Sequence, residues 1–388
     1  MIAYEKRRFL WRGLFSLVYS LVMSEITHGA LPSQTISALI EQAHIKGALP
    51  ENVSPASLDL TLSAEIFTIR GLILPKVGEA IRDLLPLMEA QPADIQNPVT
   101  CGQMYLVRLN ETLDLPPDVY GYCNPKSSTG RLDMHVRVLA DGVPRYDSVT
   151  PKGFSGELWL AIAAQSFSIQ LHIDTSLTQL RLFTGGSRFS EQDLEAALSA
   201  GLVWHPTEDR QLTYSELITN DQDGAIVLTA LVEEGLCGYE CIATPEQILD
   251  VAKIGHYQTK DFFTPVCIHD GVLRLKRDKF YILSAAERIK IPPTVASEMI
   301  PMDERSGDFR SHYAGFLDPG WGWGLAGEGK GRPFTLEVRP FEDLVVRAGQ
   351  PIAKITFERM TQAPKMHYDT KASNYLQQSG PKLGKQFK

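Results

Sequence analysis

The phrases Gln103-Met-Tyr-Leu-Val and Leu115-Pro-Pro-Asp-Val occur a second time as Lys279-Phe-Tyr-Ile-Leu and Ile291-Pro-Pro-Thr-Val. In both halves of the chain the second phrase begins 12 residues after the first. Each pair is followed by a motif that combines a basic residue with serine, and then by a glycine-rich turn before a strand-like run. We therefore interpret the chain as a tandem duplication of one β domain.

Short runs rich in β-branched and aromatic residues fill most of both halves, and Gly, Pro and Asp clusters separate them. This pattern is typical of barrels and sandwiches. Helical spacing is confined to short stretches near residues 34–46, 190–198 and 245–253. The sequence predicts a mainly β protein with a few short helices. The clearest predicted strands are Gln103 to Val107, His135 to Leu139, Glu157 to Ala163, Phe167 to Ile173, Val272 to Leu275, Phe280 to Ala285, Thr335 to Val338 and Ile352 to Phe357.

The length of 388 residues suits two domains, each with a core of its own. We predict a first domain over 31–185, a helical connector over 186–262 and a second domain over 263–388 that ends in a closing C-terminal tail. Residues 1–30 are predicted to be a disordered extension or to lie partly upstream of the true start. There, Lys6-Arg7-Arg8 precedes an apolar run that resembles a secretory signal, but Arg12 interrupts it and no small-residue cleavage site follows.

The overall charge argues against two classes of partner, nucleic acids and anionic membranes. Forty-six acidic residues against 38 basic ones give a net charge of -8, which argues against a general affinity for nucleic acid or an anionic membrane. The five cysteines are scattered in the chain, and we expect reduced thiols. These features favour a cytoplasmic protein that binds neither nucleic acid nor membrane.

Two features in the second half can carry chemistry. The first is Glu304-Arg305-Ser306-Gly307-Asp308-Phe309-Arg310, whose two arginines, serine hydroxyl and glycine suit a phosphate cradle, although a solvated surface turn has the same composition. The second is Glu337, which alternation along its strand places on one face with Thr335 and Arg339. A carboxylate among apolar groups tends towards a raised pKa that suits proton shuttling. The alternative is a glutamate on the solvent face.

Taken in order, these motifs resemble the dCTP deaminase branch of the trimeric dUTPase superfamily. The resemblance rests on Glu-Arg-Ser-Gly-x-x-Arg from Glu304, Ala314-Gly-x-Leu-Asp-Pro-Gly-Trp-Gly, Thr335-Leu-Glu and Arg347-Ala-Gly-Gln-Pro-Ile-Ala. The tail with Tyr368, Lys371, Asn374-Tyr375, Gln378 and Gly380-Pro resembles that branch's C-terminal segment, which folds over the nucleotide. In the first half, similar motifs are Ser54-Pro-Ala-Ser-Leu-Asp59-Leu, Lys126-Ser127-Ser128-Thr-Gly-Arg131 and Lys152-Gly-Phe-Ser-Gly156.

The resemblance implies two dUTPase-like distorted β-barrel or jelly-roll domains and hydrolytic deamination of dCTP to dUTP and ammonia, in pyrimidine deoxynucleotide synthesis. It implies that Glu337 is the general acid and base, with Arg310 and Ser306 beside it. It also implies substrate contacts from Arg305, Asp318, Trp321, Thr335, Tyr368, Lys371 and Gln378. Mg²⁺ is expected on the triphosphate, with no protein metal ligands. A homotrimer is expected, with dTTP or dUTP as regulator or product.

The first half departs from the family's pattern. When Gly156 is aligned with the corresponding glycine of the family, Ala161 stands where the catalytic glutamate is expected. We therefore predict that the first domain keeps the fold and a degenerate phosphate site at Lys126, Ser127, Ser128 and Arg131, and does not deaminate alone.

The sequence leaves three other functions to compare with the deaminase. A zinc deaminase needs His-x-Glu and Pro-Cys-x-x-Cys, and neither occurs, so no zinc is expected. A dUTP diphosphatase, or a bifunctional enzyme, would use the same phosphate cradle and Asp318. Glu337 and Trp321 favour the deaminase, because the dUTPase branch typically has Tyr at the position of Trp321 and no strand glutamate at that of Glu337. A non-catalytic nucleotide-binding regulator is the remaining alternative.

Overall fold

A computed structural model describes residues 28–219, 222–302, 315–370 and 379–388, together with the backbone of 309–310. Of the N-terminal extension predicted over 1–30, residues 1–27 lie outside the described part of the chain, whereas Gly29 and Ala30 form a buried strand, so the prediction is wrong for these two residues. The chain is mainly β with short helices, as the sequence predicted. The helices are α1 Ser33–Glu41, α2 Ile81–Leu84, α3 Ser127–Gly130, α4 Glu191–Ser199 and α5 Thr259–Phe262, with 3-10 turns Pro50–Asn52, Tyr214–Glu216 and Tyr368–Thr370.

The first half forms one curved antiparallel sheet that nearly closes into a barrel. Its strands are β1 Gly29–Ala30, β2 Ile45–Lys46, β3 Leu58–Ile69, β4 Gln91–Pro92, β5 Met104–Asp114, β6 Val119–Pro125, β7 Met134–Ala140, β8 Ser148–Val149, β9 Ser155–Ala164 and β11 Ser176–Thr184. The main path runs β7-β9-β5-β3-β11-β6-β8. Burial alternates along β6, as period-2 hydrophobicity requires. Strand β10 Ser168–Gln170 pairs outside this sheet.

The second half contains two main sheets. Its strands are β12 Val203–Trp204, β13 Ala225–Thr229, β14 Gly235–Cys241, β15 Ile248–Asp250, β16 Phe263–Ile268, β17 Val272–Leu275, β18 Tyr281–Ser284, β19 Arg288–Ile289, β20 Val295–Ile300, β21 Phe309–Arg310, β22 Phe316–Leu317, β23 Thr335–Pro340, β24 Leu344–Arg347 and β25 Pro351–Arg359. One sheet has the order β13-β25-β20-β22 and the other β16-β14-β18-β23-β21. All eight strands singled out in the sequence are present, seven of them within three residues of their predicted bounds, and the strand predicted to end at Val107 continues to Asp114. No helix of the described residues is both long and apolar enough to cross a membrane.

The predicted helical connector over 186–262 is wrong in its helical character. Helix α4 forms there, with Ser190 and Asp193 in a capping box. The stretch 245–253, predicted as a helix, instead contains β15, which pairs in parallel with β10 of the first half. Strands β13 and β14 also fall in this region, and they pair with β25 and with β16 and β18 of the second domain. Partners distant in sequence therefore override the local helical spacing.

The two halves repeat the same strand register. In the first half Leu106 of β5 pairs with Ala161 of β9, and in the second half Ile282 of β18 pairs with Glu337 of β23. Both members of the second pair lie 176 positions after those of the first. Ala161 is thus the structural counterpart of Glu337, as the sequence alignment predicted.

A buried contact is also repeated. Glu111 accepts hydrogen bonds from the backbone and hydroxyl of Thr61 at 2.9 and 2.8 Å, and Glu287 accepts the same pair from Thr229 at 2.9 and 2.7 Å. Burial raises the pKa of Glu111 to about 7 and raises that of Glu287 as well. The repetition supports the interpretation of the chain as a tandem duplication.

A fully buried arginine joins the two halves. Arg181 of β11 donates to the carbonyls of Ser297 at 2.9 Å and Leu317 at 3.1 Å, and to the carboxylates of Glu358 at 3.1 Å and Asp318 at 3.3 Å. Its side chain is 0% exposed. One side chain of the first half is therefore ion-paired with two carboxylates of the second.

We predict that Arg181→Met lowers the free energy of unfolding by about 3–5 kcal/mol, because it leaves Glu358 and Asp318 buried without their cation. Urea unfolding followed by circular dichroism measures this loss. Arg274→Met is the control, since the Arg274–Asp270 pair is exposed on both sides and should contribute less than about 1 kcal/mol. Equal losses in the two variants would contradict the assigned role of Arg181.

Candidate active site

The second domain presents Thr335, Glu337 and Arg339 on one face of strand β23. The side chain of Glu337 is buried, with a relative exposure of 1%, which excludes the alternative of a glutamate on the solvent face. Strand β23 pairs with β18 on one side and with β21 on the other, so Glu337 is held in the middle of a sheet.

The first domain lies directly against this face. Arg339 forms an ion pair with Asp133 of the first domain and also donates to the hydroxyl of Ser166 at 3.2 Å. At the other end of the face, Lys382 donates its backbone N–H to the hydroxyl of Thr335 at 3.3 Å. The carbonyl of Lys382 accepts from the guanidinium of Arg131 at 3.0 Å. Residues 131–133 therefore run along the strand that carries Glu337.

The motif from Lys126 to Arg131 consequently borders the Glu337 strand. Arg131 is 3% exposed, and Lys126 is paired with Asp59. A further contact between the halves lies next to the motif, where the backbone N–H of Gly315 donates to the side chain of Asn124 at 2.5 Å. We predicted this motif, with Ser127 and Ser128, as a degenerate site of the first domain, and the structure places it at the domain junction.

A cluster of aromatic rings adjoins the same strand. Trp321 packs against Tyr368 and Phe334, with ring centroids 5.1 and 5.9 Å apart, and Phe334 immediately precedes Thr335. The backbone N–H of Tyr368 donates to the carbonyl of Pro319 at 2.8 Å. The structure thus brings the predicted substrate contacts Trp321 and Tyr368 together at the apolar core of the second domain, whereas Thr335 lies on the other face of β23, with Glu337.

Asp369, the residue after Tyr368, is held by an ion pair with Arg332. Arg332 donates to both carboxylate oxygens of Asp369, at 2.5 and 2.9 Å. Asp318, the predicted sugar contact, lies at the start of the turn that leads to Trp321 and is bound by Arg181. The arginine of the first half therefore also fixes this carboxylate.

Some predicted site residues cannot be placed. Arg305, Ser306, Lys371 and Gln378 lie outside the described residues. Only the backbone of Arg310 is described. It pairs with Arg339, which lies on the same strand as Glu337 and two residues beyond it. Their proposed roles stay predictions.

In the first domain the equivalent face is closed by apolar side chains. Trp159, Ala161 and Ala163 replace Thr335, Glu337 and Arg339 in the shared register. Ala161 and Trp159 belong to a buried cluster that helix α2 completes. The other buried members of this cluster are Ile69, Ile81, Leu84, Met88, Leu106 and Leu139. This face has neither the carboxylate nor the space for a polar ligand.

Sequence reasoning missed the residues that join the domains. Asp133 and Ser166 lie 206 and 173 positions from their partner Arg339, and no motif links them. Asp133 follows Arg131 by two residues, which is the one local signal that could have drawn attention to it. In the described part of the chain, no three His, Cys, Asp or Glu side chains form a group that could hold a metal ion.

The fold and this site define a tandem-domain β protein of the dUTPase-like class. The family model for the N-terminal domain of 2'-deoxycytidine 5'-triphosphate deaminase matches residues 27–186, and the model for the C-terminal domain of the same family matches residues 205–387. The chain is similar to the crystal structure of 2'-deoxycytidine 5'-triphosphate deaminase from Agrobacterium tumefaciens, with 32% identity and a TM-score of 0.77. The similarity covers 87% of this chain and 97% of that one. None of the curated proteins compared with the chain matches it. The chain belongs to the dCTP deaminase family.

We predict that Ala161→Glu lowers the free energy of unfolding by several kcal/mol, on the order of 3, because it buries an ionisable group in an apolar cluster. Ala163→Glu, two residues along the same strand and only partly buried, is the matched control and should be tolerated better. Thermal and urea unfolding measure the difference. A stable Ala161→Glu protein would show that this face is open to polar groups.

Proposed function

We propose that this chain hydrolyses the exocyclic C–N bond of dCTP and releases dUTP and ammonia. One observation carries the proposal. A buried glutamate, Glu337, lies on a strand whose polar face is bordered by a motif of basic and serine residues from the other domain. Family membership of both halves and the similarity to a dCTP deaminase structure support the same reaction.

Glu337 would act first as a base and then as an acid. Its carboxylate takes a proton from water, and the hydroxide attacks C4 of the cytosine ring. The carboxyl group then gives this proton to N3 of the ring. As the C4–N bond breaks, the carboxylate takes the proton of the new C4 hydroxyl and delivers it to the amino group, which leaves as ammonia. One water is consumed, and C4 ends as a carbonyl. Burial of Glu337 keeps bulk water away and holds the carboxylate in one orientation.

Cationic groups at the domain junction would receive the triphosphate. Arg131 and Lys126 carry the charge there, and Ser127 and Ser128 offer hydroxyls beside them. A planar guanidinium binds phosphate oxygens through two parallel hydrogen bonds. We propose that the first domain supplies this cradle to the Glu337 site, with Arg305, Ser306 and Arg310 as further phosphate contacts.

The remaining predicted contacts would orient the nucleoside. We propose that Asp318 binds the deoxyribose, and that Trp321 and Tyr368 form an apolar wall beside it, which their packing supports. Lys371 and Gln378 are proposed as contacts from the tail. Mg²⁺ would enter with the triphosphate oxygens, which it prefers as ligands, and would neutralise their charge.

The oligomeric state, the regulation and the cellular location of the enzyme are also proposals. A homotrimer follows from the resemblance of the motifs, and light scattering of the purified protein tests it. We propose that dUTP, the product, or dTTP regulates turnover, and that the enzyme works in the cytoplasm.

We predict that Glu337→Gln lowers kcat by about 10²- to 10⁴-fold, while dCTP still binds, because the amide keeps the shape of the carboxylate and cannot move a proton. Turnover with Mg²⁺ is followed by chromatography of the nucleotides and a coupled assay for ammonia. The control is Glu342→Gln, which changes an exposed carboxylate just after the same strand and should leave kcat unchanged.

The product distinguishes the alternatives. Formation of dUTP and ammonia by the wild type supports the deaminase. Accumulation of dUMP and pyrophosphate from dUTP would indicate a diphosphatase or a bifunctional enzyme. Binding of dCTP without turnover would replace the proposal with a regulatory nucleotide-binding protein.

A further inference from the structure

The last ten residues of the chain dock on residues 251–263, beside the core of the first domain. We call residues 379–388 the C-terminal strap. The backbone N–H groups of Gly255 and His256 donate to the carbonyls of Lys385 and Gln386 at 2.9 and 2.8 Å, and Lys388 donates to Tyr257 at 3.0 Å. These main-chain bonds fix the strap as an extra strand-like segment.

Phe387 anchors the strap in a cluster of aromatic rings. Its ring centroid lies 5.2 Å from that of Phe263 and 5.5 Å from that of Phe262. Leu383 and Phe387 pack against the core of the first domain, and the buried Gln386 donates to the carbonyl of Val251 at 3.0 Å. The strap is therefore anchored by its far end in this aromatic cluster.

The near end of the strap lies between the two sides of the candidate active site. The backbone of Lys382 donates to Thr335 of the second domain and accepts from Arg131 of the first. A side chain at Gly384 would lie 3.4 Å from Leu132 and 3.8 Å from Cβ of Arg131. The strap thus follows the segment from which Arg131 projects.

We propose that the C-terminal strap is a positioning element of the Glu337 site, which holds the Arg131 guanidinium in place through the backbone carbonyl of Lys382. This inference rests on the proposed function, in which Arg131 binds the triphosphate. The carbonyl accepts one N–H of the fork and so fixes the plane of the guanidinium. Phosphate recognition by arginine depends on that plane, since both hydrogen bonds must form together.

The experiment compares Phe387→Ala with Phe189→Ala in the full-length chain. Both phenylalanines are partly buried and pack against other aromatic rings, but Phe189 contacts Phe357, away from the strap. Well below the unfolding temperature, Phe387→Ala should raise KM for dCTP and lower kcat/KM by about tenfold or more, the loss expected when a substrate-positioning group is displaced. Phe189→Ala should change neither, and Phe387→Leu should recover most of the activity.

A double-variant cycle tests whether the strap acts through Arg131. If it does, Phe387→Ala should cost little further kcat/KM in a protein that already carries Arg131→Ala. Losses that multiply would overturn the inference, as would a Phe387→Ala enzyme with normal kcat and KM.

Hydrogen exchange gives a readout that does not depend on turnover. Phe387→Ala should speed amide exchange in residues 127–133, and Phe189→Ala should not. If the wild type fails to deaminate dCTP, the proposed function falls, and the exchange comparison still decides whether the strap orders this segment. Unchanged exchange in Phe387→Ala would overturn the inference.

Discussion

The buried guanidinium of Arg181 is the contact on which the arrangement of the two halves depends. It emerges from the sheet of the first domain and ends among Ser297, Leu317, Asp318 and Glu358 of the second. A charge taken out of water needs its partners in place, so the domains are compatible with one relative position and not with a range of them. Burial, and then the neighbouring carboxylate of Glu358, raise the pKa of Glu298 beside this cluster. That position brings residues 131–133 against the strand of Glu337.

Equivalent strand positions carry polar residues in the second domain and apolar residues in the first. The second domain keeps Thr335, Glu337 and Arg339 on the face of β23, where the first domain covers them. In the first domain Trp159, Ala161 and Ala163 occupy the matching positions, and helix α2 completes an apolar cluster with Trp159 and Ala161. A polar face is therefore retained only where the other domain provides partners for it. The duplication yields one candidate site for each chain, to which both domains contribute.

The sequence predicted the structural features that depend on a local pattern of residues. Alternating hydrophobicity located the strands, and the alignment of Gly156 with the family's glycine placed Ala161 at the position of the catalytic glutamate, an equivalence with Glu337 that the register confirms. It could not predict contacts whose partners are far apart, such as Asp133 with Arg339, because a single charged residue carries no signal for its partner. The prediction of a helical connector is wrong because the strand in it also depends on a partner that is distant in sequence. Its strand Ile248–Asp250 exists because Ser168–Gln170 lies beside it.

The contacts around Glu337 also give the first domain a part in the proposed chemistry. A domain without the catalytic glutamate could be regarded as a scaffold, but its Arg131 reaches the backbone of Lys382, and that backbone reaches Thr335, two residues from Glu337. Asp133 meets Arg339 on the other side of the same glutamate. Hydrogen-bonded groups in one network are energetically coupled, so a change in the first domain is transmitted to the strand that carries Glu337. The reactive strand and the domain that lacks a reactive group therefore form a single functional unit.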